Sequence, residues 1–412
     1  MWRKDWQVQR NNLQLSNVFY GRGSVDNIGA YLYPGGIPSN FILSGGNDVD
    51  RYEPLRQIFD CVIGRLPVIV LHAGSADVED IVCSFWSPEH VPPVVPLWIA
   101  NQVSPLFEPL YGLSDAQVVT VLRKLAISLG YSVTPRFERV VRAHLKILQD
   151  LEIPTSLSGL YYLCQFLDMG EFYQNIMDLP CGEQVSRRIW VDLGADDEAA
   201  GGQFDLFRAV VNNLAHDAEQ SGWVSDNSVS DANCLEAIRQ NAVFLLSVND
   251  MYTEHLLTYL AEELKAHGGK SFVLLIDGLK VKDESFYEFL CSPNTGAYVG
   301  ITGENVVEQI NINDNGFQKL SERMNCMVFF KHSTGQTATM ISDAIGKFNS
   351  VQVDHSMGTH RGFFDILPGD RHDDIRFSTV NRYRVMPEEV MALGPGQAII
   401  FDTVNDQVIH YN

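Results

Sequence analysis

The sequence predicts an α/β fold with a mainly parallel sheet that is interrupted by an all-helical segment. Apolar runs alternate with helical patterns between residues 243 and 331, as strands joined by crossover helices do. The run Phe272 to Ile276 ends in Asp277 and is typical of a strand buried on both faces. From residue 114 to about 177 the patterns are helical without a strand signal. We therefore expect a helical insertion between two parts of one α/β domain.

The central block defines the first candidate residue. Its predicted strands cover residues 243–248, 272–277, 297–302 and 326–331, and its predicted helices include residues 250–266 and 284–290. The carboxyl end of a central parallel strand is where ligands bind in such sheets, and in nucleotide-hydrolysing folds an aspartate there holds magnesium. Asp277 could fill that role. We favour the alternative that it accepts backbone amides at the end of the strand.

A second candidate segment lies near the N-terminus. Residues 40–43 and 67–71 read as strands, with a helix from about 53 to 63 and a glycine-bearing loop before that helix. This order frames a phosphate-binding loop. Alignment of Gly45 with the first glycine of GxxxxGK[ST] puts Asp50, Arg51 and Tyr52 where Gly, Lys and Ser or Thr belong. The acid repels phosphate, and the magnesium-binding hydroxyl is replaced by a phenol.

The predicted nucleotide site is therefore degenerate, and it consists of Gly45, Gly46, Asp50, Arg51, Tyr52 and Asp277. Arg51 could still bind phosphate in bidentate fashion, or it could pair with Asp48 or Asp50, and the sequence leaves both open. A GKS triplet at residues 269–271 leads into a strand and not into a helix, so we do not assign it as a phosphate loop.

Bulk composition limits the function classes. The 412 residues suggest two or three domains, which we divide at residues 1–100, 101–232 and 233–412. Basic residues number 30 against 51 acidic ones, and this balance argues against non-specific DNA binding. The seven cysteines form no CxxC pair, and no apolar run reaches the roughly 18 residues of a membrane span. These features predict a cytoplasmic protein without a membrane span.

Residues 351–374 are predicted to form a long loop. This stretch is rich in His and Asp, but it lacks the HExxH or CxxC spacing of a metal site. We interpret those residues as polar loop positions and assign no metal. No serine or cysteine has a companion histidine pattern, so no catalytic nucleophile is assigned either.

Three stretches resemble the coupling-protein ATPases of type IV secretion (TraG/TraD-like, in the FtsK/HerA P-loop superfamily). Residues 384–393 followed by 396–401 are similar to the closing signature of that family. The helix at residues 337–346 resembles its TAxxISxxlG segment, and Leu274 to Asp277 resembles its Walker B strand. The resemblance covers most of residues 40–402 and implies a RecA-like P-loop fold with an all-helical insertion, an ATP–magnesium site and a possible homo-oligomer.

The departures from that family shape the functional prediction. Asp277 is followed by Gly278 where the family has a glutamate, and the next strand ends in Thr302-Gly303-Glu304-Asn305 without the expected glutamine. We therefore predict a pseudo-ATPase, a scaffold or regulator of a conjugative or secretion apparatus that needs no cofactor. One alternative is an active DNA- or protein-translocating ATPase, with Lys270 or Lys280 as replacement lysine. Another is an acidic protein-interaction module.

Overall fold

The computed structural model describes residues 28–34, 37–84, 94–98, 110, 112–165, 174, 177–178, 182–183, 198–220, 234–247, 253–265, 269–293, 295–310, 316–358 and 372–411. Its strands are β1 (Phe41–Ser44), β2 (Val68–His72), β3 (Val94–Trp98), β4 (Val243–Ser247), β5 (Phe272–Asp277), β6 (Ala297–Gly303), β7 (Cys326–Phe329), β8 (Lys347–Gly358), β9 (His372–Tyr383), β10 (Ala398–Asp402) and β11 (Gln407–Tyr411).

The helices alternate with these strands along most of the chain. They are α1 (Gly29–Leu32), α2 (Asp48–Val62), α3 (Ala76–Ser84), α4 (Asp115–Ser128), α5 (Pro135–Asp150), α6 (Leu157–Cys164), α7 (Glu198–Gln220), α8 (Cys234–Gln240), α9 (Thr253–Lys265), α10 (Glu284–Cys291), α11 (Val306–Gln309), α12 (Gly316–Ser321), α13 (Gly335–Ile345) and α14 (Pro387–Ala392). None of the helices in the described part of the chain combines the length and the apolarity needed to cross a bilayer.

The central sheet has nine strands in the order β11-β10-β7-β1-β6-β5-β2-β4-β3. The strands from β7 to β3 are parallel to their neighbours, whereas β10 is antiparallel to β7 and to β11. The predicted α/β fold with a mainly parallel sheet is thus confirmed. In this order β6 lies between β1 and β5, so the glycine loop after β1 and the aspartate at the end of β5 are separated by one strand.

Two apolar layers cover the sheet, because successive side chains of a strand point to opposite faces. On one face Ile69, Leu274 and Ile276 pack with the core of the helical segment, which includes Phe137 and Phe207. On the other face the inner side chains of α2 pack over Val68, Val70, Val273 and Leu275. Helix α2 therefore packs on this face of the sheet, and because it follows β1 after three residues, its first turn lies at the carboxyl edge.

The described residues between β3 and β4 contain helices only, α4 to α8. The predicted all-helical insertion is therefore present. Helices α5, α6 and α7 pack together around buried Phe137, Leu148, Leu160 and Phe207. The domain limits at residues 100 and 232 stay predictions.

Two sequence-based predictions of secondary structure are wrong. Helix α2 begins at Asp48 and not near Glu53, because the Asn47 side chain caps it. Residues 351–358 and 372–374 belong to the antiparallel hairpin β8–β9 and not to a long loop, and apolar and polar residues alternate from Val351 to Asp354 as they do in a strand. The rest of the predicted loop, residues 359–371, lies outside the described residues.

Candidate functional site

The predicted site residues meet at the carboxyl edge of the sheet. Gly45 and Gly46 directly follow β1, Arg51 and Tyr52 lie in the first turns of α2, and Asp277 ends β5. Tyr52 and Asp277 are in contact, since the Tyr52 hydroxyl lies 3.4 Å from Asp277 Oδ2. The topology therefore brings these distant parts of the sequence to the edge at which parallel sheets bind ligands.

The β1–α2 loop contains only Gly45, Gly46 and Asn47. Both glycines have positive φ, +89° and +67°, which favours residues without a side chain. A Cβ atom on Gly45 would lie 2.7 Å from His332 Nε2 and 2.8 Å from the Lys331 carbonyl oxygen. Glycine is thus required here for its conformation and for the close approach of the chain after β7. In a GxxxxGK[ST] motif the helix begins near the second glycine, whereas here it begins two residues before the aligned position, Asp50, so this loop is shorter.

Four backbone amides of this segment already have acceptors within the protein. The Gly45 amide donates to the Gly303 carbonyl at 3.1 Å, and the Gly46 amide donates to the Lys331 carbonyl at 3.0 Å. The amide of Asn47 donates to Asp50 Oδ2 at 3.1 Å, and the Asp50 amide donates to Asn47 Oδ1 at 2.9 Å. Phosphate-binding loops work by aiming such amides at the phosphate oxygens.

Asp50 has a structural role in this arrangement. Its reciprocal hydrogen bonds with Asn47 form a capping box, which satisfies two donors at the start of α2. The residue that stands in place of the last signature glycine therefore serves to start the helix early. This explains why the loop is short.

The Arg51 side chain fills the concavity of the loop. Its guanidinium donates from Nη1 to the carbonyl oxygens of Gly45, at 2.9 Å, and Gly46, at 3.1 Å. Nη2 pairs with the Asp48 carboxylate, so of the two interactions left open for Arg51 the structure has the ion pair. Arg51 is 2% exposed. The loop thus presents carbonyl oxygens and a carboxylate to a resident cation.

Tyr52 connects α2 to two neighbouring strands. Its hydroxyl lies 2.8 Å from Ser75 Oγ, in the β2–α3 loop, and 3.4 Å from Asp277 Oδ2. Burial raises the pKa of the Asp277 carboxyl to about 7, although nearby Arg51 and the Tyr52 hydroxyl both act to lower it. Within the described residues Asp277 accepts from this hydroxyl, and not from the backbone amides that we expected.

His72, Asp277 and Thr302 form a buried polar row. They are register partners on adjacent strands β2, β5 and β6, and each is at most 3% exposed. Burial lowers the pKa of His72 to about 4, so its imidazole is neutral at physiological pH. The Ser75 amide donates to His72 Nδ1 at 3.0 Å, which leaves the proton on Nε2. That atom lies 3.5 Å from Glu79 Oε1 without hydrogen-bond alignment, so the contact is not an ion pair.

Several other residues proposed from the sequence can now be located. Lys270 donates to the carbonyls of Ile238 and Arg239, before the start of β5, and therefore lies at the opposite edge of the sheet. Lys280 is exposed and follows the carboxyl end of β5. No glutamine ends β6, but Gln309 of α11 folds back against Gly303, where an added Cβ would lie 2.0 Å from its Nε2.

The residues that sequence reasoning missed are Ser75, His332 and Gln309. Each follows the carboxyl end of a strand, β2, β7 or β6, by three to six residues. That shared position is the signal that could have identified them. Within the described ranges no three His, Cys, Asp or Glu side chains are grouped so that they could hold a metal ion.

No family model matches the sequence, and no curated protein shows significant similarity to it. Solved structures do match. The unbound form of the bacterial conjugative coupling protein TrwBdeltaN70 superimposes with a TM-score of 0.60 at 13% identity, over 97% of this chain and 90% of that chain.

Two further structures extend this likeness. The plasmid coupling protein TrwB in complex with ADP and Mg²⁺ gives a TM-score of 0.54 at 13% identity, over 98% of this chain and 92% of that chain. VirB4 of Thermoanaerobacter pseudethanolicus gives 0.52 at 8% identity, over 90% and 88%. At such low identity the likeness defines the fold. The chain has the P-loop fold of the type IV secretion coupling-protein ATPases.

Proposed function

We propose that this protein is a degenerate, non-hydrolysing relative of the coupling-type ATPases that acts as a scaffold or regulator in a conjugative transfer or type IV secretion apparatus. The fold supports a role in such an apparatus, because the similar solved structures are a conjugative coupling protein and a VirB4. The proposal about nucleotide chemistry depends on the site itself.

The observation that carries the proposal is the inverted polarity of the β1–α2 loop. Four amides between Gly45 and Asp50 are bonded within the protein, and the Gly45 and Gly46 carbonyls bind the Arg51 guanidinium. A nucleotide phosphate would need these amides and would meet the carbonyls and the Asp48 carboxylate instead. These residues do not fit a bound phosphate, so we expect neither ATP nor magnesium at this site.

The Asp277 region supports the same proposal. The residue after Asp277 is Gly278, so this strand supplies no second carboxylate to activate a water molecule. Loss of one positioned catalytic group typically costs about a hundred- to a thousandfold in rate. Here the loop lysine and the glutamate are both replaced. We expect no useful hydrolysis.

The partners follow from the fold and the charge. We infer a protein partner within the transfer or secretion apparatus, a cytoplasmic location and a possible homo-oligomer. A net charge of −21 opposes binding to a nucleic-acid backbone, so we expect no direct non-specific DNA contact.

The main rival is an active translocating ATPase. TrwB has been solved with GDPNP, with ADP and Mg²⁺ and with ADPNP, which favours a nucleotide site in this fold. For this chain to be an active ATPase, the Arg51 side chain would have to move out of the loop, and a lysine from elsewhere would have to bind the nucleotide phosphates. Lys270 donates to the Ile238 carbonyl at the opposite edge of the sheet, so of the two lysines only Lys280 could replace the lysine of the phosphate loop. A plain acidic interaction module is the third candidate, and the net charge is its only support.

The proposal is tested by measuring ATP turnover and complex formation on the same preparation. The full chain is assayed for phosphate release with ATP and magnesium, and for co-purification with the proteins encoded beside it, with and without ATP. The proposal predicts no turnover above that of the Asp277→Ala variant, and a complex that forms equally well in both conditions. Turnover abolished by Asp277→Ala, or a complex that requires ATP, would favour the active ATPase.

A further inference from the structure

The exposed face of α5 carries three arginines in a row. Arg136, Arg139 and Arg142 are all exposed, whereas the face of the helix that includes Phe137 and Val141 is buried. An α-helix rises about 1.5 Å per residue, so neighbouring arginines lie about 4.5 Å apart along the axis, and all three lie within about a third of the circumference. We call these three residues the arginine row.

The charge around the arginine row is opposite in sign to that of the whole chain. Residues 123–150 contain six Lys or Arg and two Asp or Glu, a net charge of +4, whereas the chain has a net charge of −21. A solvated helix face usually mixes both signs, as α2 does with Glu53, Arg56 and Asp60 three and four residues apart. The arginine row is therefore part of a local basic patch on an acidic protein.

The acids of this stretch leave two arginines unpaired. Glu138 lies four residues before Arg142, the spacing of a helical ion pair, but its carboxylate pairs with Arg123 of α4 at 3.3 Å. Asp150 pairs with a lysine one turn earlier in α5, at 3.6 Å. Within the described residues Arg139 and Arg142 therefore have no ion-pair partner.

This arrangement is unfavourable for α5 by itself. Arg139 has one arginine three residues before it and another three residues after it, and like charges at this spacing destabilise a helix. Arg136 lies in the first turn, where the helix dipole disfavours a cation. An anionic partner would relieve both effects, so the charge of this face is complementary to that of such a partner.

We propose that the arginine row binds a short acidic segment of a partner protein, through charge-assisted hydrogen bonds from the guanidinium groups to Asp or Glu side chains. A guanidinium presents paired N–H donors that match a carboxylate. A short segment contacts this face alone, whereas a nucleic acid, charged along its whole length, would also meet the acidic remainder of the chain. Two copies of this chain, each with a net charge of −21, repel each other.

The inference deepens the proposed scaffold role, on which it rests for the existence of a protein partner. Its first test is fluorescence anisotropy on the full chain without nucleotide, so failure of this test leaves the proposed loss of hydrolysis untouched. The probe is a fluorescein-labelled Gly-Glu-Glu-Ala-Glu-Glu-Ala-Glu-Glu-Gly peptide, and its control has Gln in place of every Glu.

We expect the acidic peptide to bind at least about tenfold more tightly than the control in about 20 mM salt, and the difference to shrink in about 200 mM salt. Absence of binding of the acidic peptide, or equal binding of the two peptides, would overturn the proposal.

Two double variants with the same change in net charge locate the binding. Arg139→Gln/Arg142→Gln removes the two unpaired cations, and Arg56→Gln/Lys282→Gln removes two exposed cations elsewhere. The first should lose at least about tenfold in affinity for the acidic peptide and should keep or raise the wild-type melting temperature, because the repulsion within α5 is relieved. The second should bind within about twofold of wild type. Equal losses in the two variants, or no loss in the first, would contradict a site at the arginine row.

The other anionic partners are distinguished by the same assay and by sedimentation. Labelled single-stranded and duplex DNA of about 12 nucleotides should bind more weakly than the acidic peptide at equal salt. Arg139→Gln/Arg142→Gln should leave the sedimentation coefficient of the protein unchanged. Tighter binding of DNA would assign the arginine row to a nucleic acid, and an oligomer that the double variant dissociates would assign it to a second copy of this chain. Either result would overturn the proposal.

Discussion

His72 and Asp277 are direct register partners on β2 and β5, and both are almost completely buried at the carboxyl edge of the sheet. Burial acts on them in opposite directions. It lowers the pKa of His72 to about 4 and raises the pKa of Asp277 to about 7, so both side chains are largely uncharged under mildly acidic conditions. A magnesium-binding aspartate needs the ionised form instead, and this relationship leads to the first prediction.

Asp277→Asn is expected to stabilise the protein at alkaline pH. The folded pKa of Asp277 is raised above the unfolded value, so its contribution is fully present below about pH 4 and is lost as the pH rises through about 7. Asparagine resembles the protonated form and does not titrate. We expect the two proteins to be similarly stable at pH 4, and the variant to gain about 2 to 4 kcal/mol at pH 8. Urea denaturation at both pH values measures this. A variant that is less stable than wild type at pH 8 would contradict the buried neutral carboxyl.

Arg51→Ala is expected to destabilise the protein by about 2 to 4 kcal/mol, because the Gly45 and Gly46 carbonyls lose a charged donor. Arg56→Ala, an exposed position on the same helix, is the matched control and should cost less than about 0.5 kcal/mol. Chemical denaturation midpoints of both variants provide the comparison.

Because the Arg51 guanidinium fills the loop, we also expect a small guanidinium compound to rescue the stability of the Arg51→Ala variant. Methylguanidinium at millimolar, non-denaturing concentration should raise its melting temperature but not that of wild type or of Arg56→Ala, because a ligand that binds only the folded state stabilises it. Equal effects on all three proteins would exclude a specific cation site. Stabilisation of the variant by inorganic phosphate instead would mean that the loop binds anions.

Gly45→Ala is expected to cost more than conformational strain alone. Its Cβ would lie 2.7 Å from His332 Nε2, at a φ of +89°. Gly396 also has a positive φ, +75°, but nothing lies within 4 Å of an added Cβ there. Gly396→Ala should therefore show only the left-handed backbone cost of about 1 kcal/mol, and Gly45→Ala should cost about 3 kcal/mol or more. Equal losses for the two variants, measured by denaturation, would mean that the loop does not pack against the residues after β7.

His144→Phe is expected to weaken the fall of the free energy of unfolding between pH 6.5 and pH 4. The ring of His144 is fully buried, 4.3 Å from the Phe207 ring, and burial lowers its pKa to about 4. Between pH 6.5 and 4 the unfolded state binds the extra proton, so stability falls as the pH falls through this range. Replacement of His144 should reduce that slope by up to about 1.4 kcal/mol per pH unit. Parallel pH profiles of variant and wild type would contradict this.

Hydrophobic pattern was sufficient to predict β1, β2 and β4 to β7, but it did not predict the edge strands β3 and β11. Runs such as Phe272 to Ile276 are apolar throughout and shorter than a typical helix, which is typical of a strand buried on both faces. The predicted start of α2 was wrong because a capping residue begins the helix earlier than its hydrophobic pattern indicates. Asn47 and Asp50 form a capping box, which is a sequence signal for a helix that starts at Asp48. The alignment with a phosphate loop instead treats these residues as part of the loop.

The site itself was predicted only in part. The sequence identified Arg51 and Asp277, but it could not decide between phosphate and Asp48 as the partner of Arg51, because that choice depends on which way the Gly45 and Gly46 carbonyls point. The contact from Tyr52 to Asp277 spans 225 residues of sequence, and no local pattern reports it. Such contacts follow from the strand order.

The most direct test of the central claim is calorimetric titration of the full chain with ATP and magnesium, repeated on Arg51→Ala and Asp277→Ala. The inverted loop predicts no binding tighter than about 1 mM in any of the three proteins, which corresponds to about −4 kcal/mol or weaker. Micromolar binding by the wild-type protein that is lost in both variants would contradict the account, because it would mean that Arg51 and Asp277 hold a nucleotide.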